Sequence, residues 1–250
     1  MKISIITAVY NNKNYIAECI GSVLSQNYSE IEHIVIDGGS TDGTKEILEN
    51  YNSKIAHCIS GPDNGMYDAI NKGISISTGD IIGVLHSDDV FANNNVLAGV
   101  ANIFKKTNAD GVYGDLLYVD RTNISKIVRY WKSSLFLPGS LKKGWMPPHP
   151  TLFLKKDVVK KTGYYNTNYK IAADYDFMLR ALTIPGLRYE YFPMVITHMR
   201  TGGASNRSIK NIIRKSWEDY LILRRNKIGG FSTLILKNFL KFGQFFNRGF

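Results

Sequence analysis

Five short apolar runs, separated by stretches with helical spacing, fill the first 120 residues and leave few folds open. Ile3-Ser4-Ile5-Ile6-Thr7-Ala8-Val9 is nearly continuous in apolar side chains, as in a strand buried on both faces. Ile16, Cys19, Ile20, Val23 and Leu24 then recur at the spacing of one helix face. Ile31 to Ile36 predicts a second strand, with Ile47 and Leu48 in a helix after it. Ile55 to Ile59 predicts a third strand, and Tyr67, Ile70 and Ile74 mark a helix. Asp80 to Leu85 predicts a fourth strand. Val96, Val100, Ile103 and Phe104 give a helix, and Val112 to Val119 a fifth strand. Strands alternating with helices imply right-handed crossovers. The expected fold is therefore α/β, a Rossmann-like and mostly parallel central sheet with helices on both faces.

Composition narrows the class further. A chain of 250 residues can bury a full core and suggests one domain or one domain plus appendages. Apolar residues at 44% and charged residues at 21% match globular usage and argue against disorder or a coiled coil. No apolar run reaches the roughly 18 residues of a membrane-spanning helix. Met1 to Tyr10 has no small-residue cleavage site and reads as a buried strand rather than a signal peptide. Cys19 and Cys58 have neither metal-type spacing nor partners for a disulfide framework, which fits a reducing cytoplasm. The net charge of +10 is unevenly held: residues 1–120 carry 7 basic and 15 acidic side chains, and residues 121–250 carry 24 and 6. A protein coated for nucleic acid would not divide this way. An acidic half suits a cation and a basic half an anionic partner or surface, although unequal solvated faces give the same count.

After Asp120 the rhythm changes. Residues 131–150 hold four of the seven prolines, including Pro147-Pro148-His149-Pro150, and read as a loop inside the domain. Ala173 to Leu182 predicts a helix, and Tyr189 to Thr197 one or two short strands around Pro193. Gly202-Gly203 predicts a break. Residues 207–227 predict a helix with Ile209, Ile212, Ile213, Trp217, Tyr220 and Leu221 on one face.

The polar clusters fall where strands end, which is where open parallel sheets bind ligands. Thr7 to Asn11, Asp37-Gly38-Gly39-Ser40, Asp63-Asn64-Gly65 and His86-Ser87-Asp88-Asp89 would line one rim. A single acid there can be a helix cap, and Asp42 reads as one. Asp88-Asp89 is the sharpest signal, because adjacent carboxylates repel unless a cation or donors lie between them. Mg²⁺ or Mn²⁺ takes such oxygens together with substrate phosphates. No Gly-x-Gly-x-x-Gly follows the first strand and no Gly-Lys-Ser/Thr loop occurs, which disfavours a redox Rossmann enzyme and a P-loop NTPase.

Five segments, taken in order, resemble glycosyltransferase family 2. They are Ser4 to Asn11, Asp37 to Thr44, Asp63 to Gly73, Gly79 to Asp89 with its D-x-D-like end, and Ala172 to Arg180. The resemblance covers about residues 1–205 and implies the GT-A fold, with a nucleotide-sugar and metal half over 1–120 and an acceptor half over 121–205. It implies an inverting transfer from a nucleotide-diphosphate sugar, a UDP sugar first among them, onto a lipid-linked saccharide in bacterial exopolysaccharide, capsule or O-antigen synthesis. By resemblance, Thr7, Ala8 and Val9 touch the nucleotide base, Asp37 accepts from its edge, and Asp63 lies in the same loop set. Asp88 faces ribose and metal, Asp89 binds Mg²⁺ or Mn²⁺, and Asp174 is the general base. Lys72 either meets phosphate or holds Asp68. His149, Trp145, His198 and Arg200 fall on the acceptor side. Two positions depart from the pattern: His86 stands where many relatives have Asp, and Ala173 where many have Glu. Asp176 is the rival base. Two residues along a helix point about 200° apart, so only one can face the site, and Asp176 is expected to brace Arg180. A transferase acting directly on polyprenyl phosphate, and a non-catalytic carbohydrate- or membrane-binding protein, use the same fold.

Residues 206–250 are expected to form a basic helical extension. In 231–250, Phe231, Ile235, Phe239, Phe242 and Phe246 follow one helical stripe, and Lys237, Lys241, Gln244 and Arg248 another. That pattern fits a helix lying on an anionic membrane surface, here the cytoplasmic face. It also fits packing on the protein's own core or on a second copy in a homo-oligomer.

Overall fold

The computed structural model describes residues 1–137, 139–202 and 209–243. Gly203, Gln244, Phe246 and Arg248 lie outside the described residues. The chain runs β1 (Ile3–Val9), α1 (Ile16–Leu24), β2 (Ile31–Asp37), α2 (Thr44–Glu49), β3 (His57–Ser60), α3 (Met66–Ile76), β4 (Ile81–Val84) and β5 (Val90–Phe91). It continues with α4 (Val96–Thr107), β6 (Gly111–Val119), β7 (Ile127–Trp131), β8 (Phe153–Lys155), α5 (Lys156–Thr162), α6 (Ala173–Leu182), β9 (Tyr189–Arg200), α7 (Ile209–Arg225) and α8 (Phe231–Gly243). One sheet holds the strands in the order β3-β2-β1-β4-β8-β6-β9-β5, with β7 off this path and paired to the later part of β6.

The first half of that sheet is parallel, β3 to β2, β2 to β1 and β1 to β4, as the strand–helix alternation requires. Beyond β4 the direction mixes. Strand β8 runs antiparallel to both β4 and β6, β5 antiparallel to β9, and β6 parallel to β9. Strand β9 is one continuous strand past Pro193, its register slipping opposite Gly114 and Asp115. β1 shows why the sheet is covered twice. Its alternate residues Ile6 and Ala8 face one core with α3 and α6, while Ile3 and Ile5 face another with α1 and α4. Helix α3 sits close on β1, because a Cβ at Gly73 would come within 2.5 Å of the Ile6 side chain.

Helices α7 and α8 join the first of these cores through Ile222, Leu223 and Leu234. α8 passes so close to the loop at Gly144 that a side chain there would strike the Lys237 backbone. The faces differ from the amphipathic expectation. Lys237 is buried rather than solvated, with its ammonium 2.8 Å from Asp219. On α7 the expected apolar face is outward, with Ile213 65% and Trp217 61% exposed, whereas Glu218 and Asp219 point in. A buried ion pair reads as a polar stripe in sequence, so periodicity alone marks two faces without telling which is covered.

Candidate active site

The crevice arises from a mismatch in strand length. β1 stays paired to β2 as far as Val9 and Asp37, but its register with β4 ends at Ile6 and Val84. β1 connects leftward to β2, and β4 lies on its other side, so the sheet opens at the point where the strand order reverses. Into this opening run the end of β1, the loop after β2, the loop before α3, and His86-Ser87-Asp88-Asp89.

Several predicted nucleotide contacts are engaged by the protein itself. Thr7 is fully buried and its hydroxyl is 3.1 Å from Nε2 of His33. Ala8 and Val9 are buried strand residues, and the Val9 carbonyl accepts the Gly38 N–H. Asp37 is fully buried, and its carboxylate accepts from the Ser40 backbone and from the Ser40 and Ser60 hydroxyls. Asp63 lies against Gly38, where a Cβ would come within 2.6 Å of its carboxylate. Gly38 therefore lets the second and third rim loops touch. Lys72 pairs with Asp68 at 3.3 Å and donates to the Pro62 carbonyl.

The Asp88-Asp89 turn is fastened from a distance. Asp89 is 1% exposed; its Oδ1 accepts the Arg200 N–H at 3.1 Å, and its Oδ2 is buried with no hydrogen-bond partner among the described residues. Burial first, then the charge of Asp88, pushes the Asp89 carboxyl well above the usual carboxylate range, against the opposing pull of Arg200. Arg200 is itself 2% exposed. Its guanidinium donates to the Asp88 carbonyl, the Arg121 carbonyl and the Glu18 carboxylate. It therefore holds the acidic turn and is not free on the acceptor side. Arg121 reaches to 3.9 Å from the Asp88 carboxylate, and both arginines flank the ring of Tyr15 at 4.8–4.9 Å.

Across the crevice, α6 starts at the residue before Asp174. Asp174 is half-buried, and its Oδ1 accepts the Tyr175 N–H at 2.8 Å. The Tyr67 hydroxyl donates to the Ile171 carbonyl at 2.7 Å and lies 3.4 Å from Oδ1 of Asp174. Asp176 is buried on the other side of the helix, held by Arg180 at 2.8 Å and by Asn226. An aromatic wall links this helix to the acidic turn. Tyr67 stacks on Tyr165, Tyr165 on Phe177, and the Tyr165 hydroxyl is 2.8 Å from Nε2 of His149, whose ring is 5.7 Å from that of His86. Burial lowers the pKa of His86, and the charges of Asp88 and Asp174 oppose it. Burial pushes His149 down to about 4, which leaves it neutral in the wall near pH 7. Trp145 stacks on Phe136 and donates to Ser134, and His198 sits in β9 opposite Val90. Tyr67 reads in sequence only as a helix residue, and Tyr165, Arg121 and Glu218 carry no local signal. Their contacts join residues from 33 to 107 positions apart.

Comparison with known proteins gives the family and the fold. A family model described as glycosyl transferase family 2 matches residues 4–163. An uncharacterised glycosyltransferase of Mycobacterium tuberculosis is 34% identical over 187 residues, covering 73% of this chain and 69% of that protein. A PGL/p-HBAD biosynthesis glycosyltransferase of Mycobacterium bovis is 30% identical over 208 residues, covering 81% and 78%. Among solved structures, S. aureus TarS 1–349 in complex with UDP-GlcNAc superposes with a TM-score of 0.72 at 20% identity, covering 99% of this chain and 72% of that one. This chain spans 39% of the TarS chain in another of its crystal structures. The mannosyltransferase PcManGT from Pyrobaculum calidifontis, in complex with GDP-Man and Mn²⁺, gives a TM-score of 0.68 at 17% identity, covering 96% and 69%. These neighbours share the GT-A fold.

Proposed function

The chain belongs to glycosyltransferase family 2, and from that premise we propose an inverting, metal-dependent transfer of a sugar from a nucleotide diphosphate to a lipid-linked saccharide of bacterial surface-polysaccharide assembly. The observation that supports this reading most is the Asp88-Asp89 turn, where a buried Asp89 oxygen without a partner among the described residues stands beside a second carboxylate at the end of the sheet that opens between β1 and β4. The UDP-GlcNAc held by TarS and the GDP-Man held by PcManGT support a nucleotide-sugar donor here, a UDP sugar first among them.

The acidic turn fits a divalent cation. A buried carboxylate oxygen without a partner, beside a second carboxylate, is costly until a positive charge meets it. No cluster of three or more His, Cys, Asp or Glu occurs among the described residues, but Mg²⁺ or Mn²⁺ is commonly bound by one or two carboxylates plus substrate phosphates. Asp89 and Asp88 would hold it, and it would supply positive charge against the departing diphosphate. Asp174 takes the proton of the acceptor hydroxyl. Its Oδ1 is oriented by the Tyr175 N–H, and among the described residues its Oδ2 takes no hydrogen bond. With one base and no second nucleophile, the displacement inverts the anomeric carbon. Residues 1–120 serve the donor and 121–205 the acceptor, where Trp145 and His198 belong. The Ala8–Val9 strand end and the Asp37–Asp63 loops form the floor under the base.

We further propose that the protein works at a membrane surface. Among the described residues no helix is long and apolar enough to cross a membrane. α8 nonetheless exposes Phe231 at 68% and Phe239 at 72% while Leu234 is buried, and Lys210, Arg214, Arg224, Arg225 and Lys227 are exposed nearby in sequence.

Calorimetric titration of UDP and GDP sugars with Mn²⁺ tests the donor site. Tight binding should need the metal and be lost in Asp89→Ala, while the variant keeps its fold. Donor affinity unchanged in that variant removes the metal assignment.

A further inference from the structure

The helix that carries Asp174 lacks a cap of its own. Ala172 stands at the N-cap position of α6, where a Ser, Thr, Asp or Asn would ordinarily accept a free N–H. That role is filled from more than 40 residues away. Glu218 on α7 accepts the Lys170 N–H at 3.1 Å through one carboxylate oxygen. Through the other it accepts the Ile171 N–H at 3.0 Å and the Ala172 N–H at 2.9 Å. The side chain is 7% exposed, and its negative charge lies at the positive end of the helix. The next residue extends the same clamp. Asp219 pairs with Lys215 at 2.9 Å and with Lys237 of α8 at 2.8 Å, and the Lys237 ammonium lies 3.1 Å from the ring centre of Tyr175, the residue after Asp174. From the crevice side, the Tyr67 hydroxyl holds the Ile171 carbonyl.

We propose that Glu218 is a positioning residue: by fixing the turn 170–172 it sets where the Asp174 carboxylate stands relative to the donor. The proposal rests on reading Asp174 as the base. Displacing a reacting group by about 1 Å can cost roughly 10²-fold in rate, so three backbone bonds at the start of this helix bear directly on turnover. Glu218 lies outside residues 4–163 matched by the family model, as does Asp174 itself. The C-terminal helices would then belong to the catalytic apparatus as well as to the surface.

Glu218→Gln tests this with little change of shape, since its amide NH₂ must face an N–H that the carboxylate accepted. Donor turnover, with water standing in for the acceptor, is compared with donor affinity and melting temperature. The expected result is a kcat about 10- to 100-fold lower, with donor KM and UDP affinity within about twofold of wild type. Glu218→Asp, which keeps the charge, should recover part of the loss. Leu223→Ala, buried on the same helix, controls for stability: it should melt lower and yet keep its kcat at temperatures where it stays folded. In an Asp174→Asn background, Glu218→Gln should cost little more, because the two act as one unit. Wild-type kcat in Glu218→Gln, a joint loss of donor affinity, or a full additive penalty in the double variant overturns the proposal. If Asp174→Asn itself turns over normally, the base assignment has failed first, and that result is separately visible.

Discussion

Asp174 and Asp176 stand two positions apart and do unlike work. Asp176 spends both oxygens on Arg180 and Asn226 inside the protein. Asp174→Asn should therefore keep donor binding and lose about 10²- to 10⁴-fold in turnover. Asp176→Asn should instead lower the melting temperature while the folded fraction stays active; the reverse pattern in paired kinetic and thermal assays would exchange their roles. A second residue-level prediction concerns pH. Burial holds His33 at about 4 in the folded protein against an ordinary 6.5, so the unfolded chain takes up a proton that the native one refuses. The stability this represents is present above about pH 6.5 and is lost as the pH falls toward 4, at most about 3 kcal/mol from this group. Denaturant titrations across that range should show a shallower pH slope in His33→Gln than in wild type. At this scale the sequence singles out Asp88, Asp89 and Asp174 as candidates, because each follows a local pattern at a strand or helix end. Arg200 and Glu218 were not legible in these roles, since nothing near them in sequence reveals the turns they hold.

Among the elements, α7 and α8 show how far periodicity carries. Their existence was plain from spacing, but which stripe is covered was not, because the buried Asp219–Lys215–Lys237 cluster reads as a solvated face. On the proposed membrane reading, α8 has two separable duties. Removing residues from Phe231 onward withdraws Leu234 from the core and leaves Asp219 with one fewer cation, so the truncated protein should melt well below wild type. Losing a buried leucine alone is worth about 2–5 kcal/mol. The triple variant Phe231→Ser, Ile235→Ser, Phe239→Ser changes only exposed side chains and should leave the melting temperature nearly unchanged. It should abolish sedimentation with anionic vesicles if this face meets lipid. Retained vesicle binding in the triple variant would place the contact elsewhere.

The whole molecule joins a parallel sheet of four strands, foreseen from alternating apolar runs, to a mixed half of which only β6 and β9 were foreseen. The strands missed there are short or irregular: β5 has two residues and β8 three, too few to display a period, and β7 follows a bulge at Tyr118. They matter because β5 and β9 carry Asp89 and Arg200 to each other. The uneven charge also acts at this scale. If the basic half faces an anionic surface, raising salt from about 0.1 to 0.5 M should weaken vesicle binding while donor binding in the enclosed crevice changes far less. The central claim, a single base driving one displacement across the crevice, is most directly tested by proton NMR of slow donor hydrolysis with Mn²⁺. An α-linked donor such as UDP-GlcNAc or GDP-Man should release the β-anomer first, before mutarotation, at a rate that collapses in Asp174→Asn. Release of the α-anomer first, or a rate indifferent to Asp174, would contradict it.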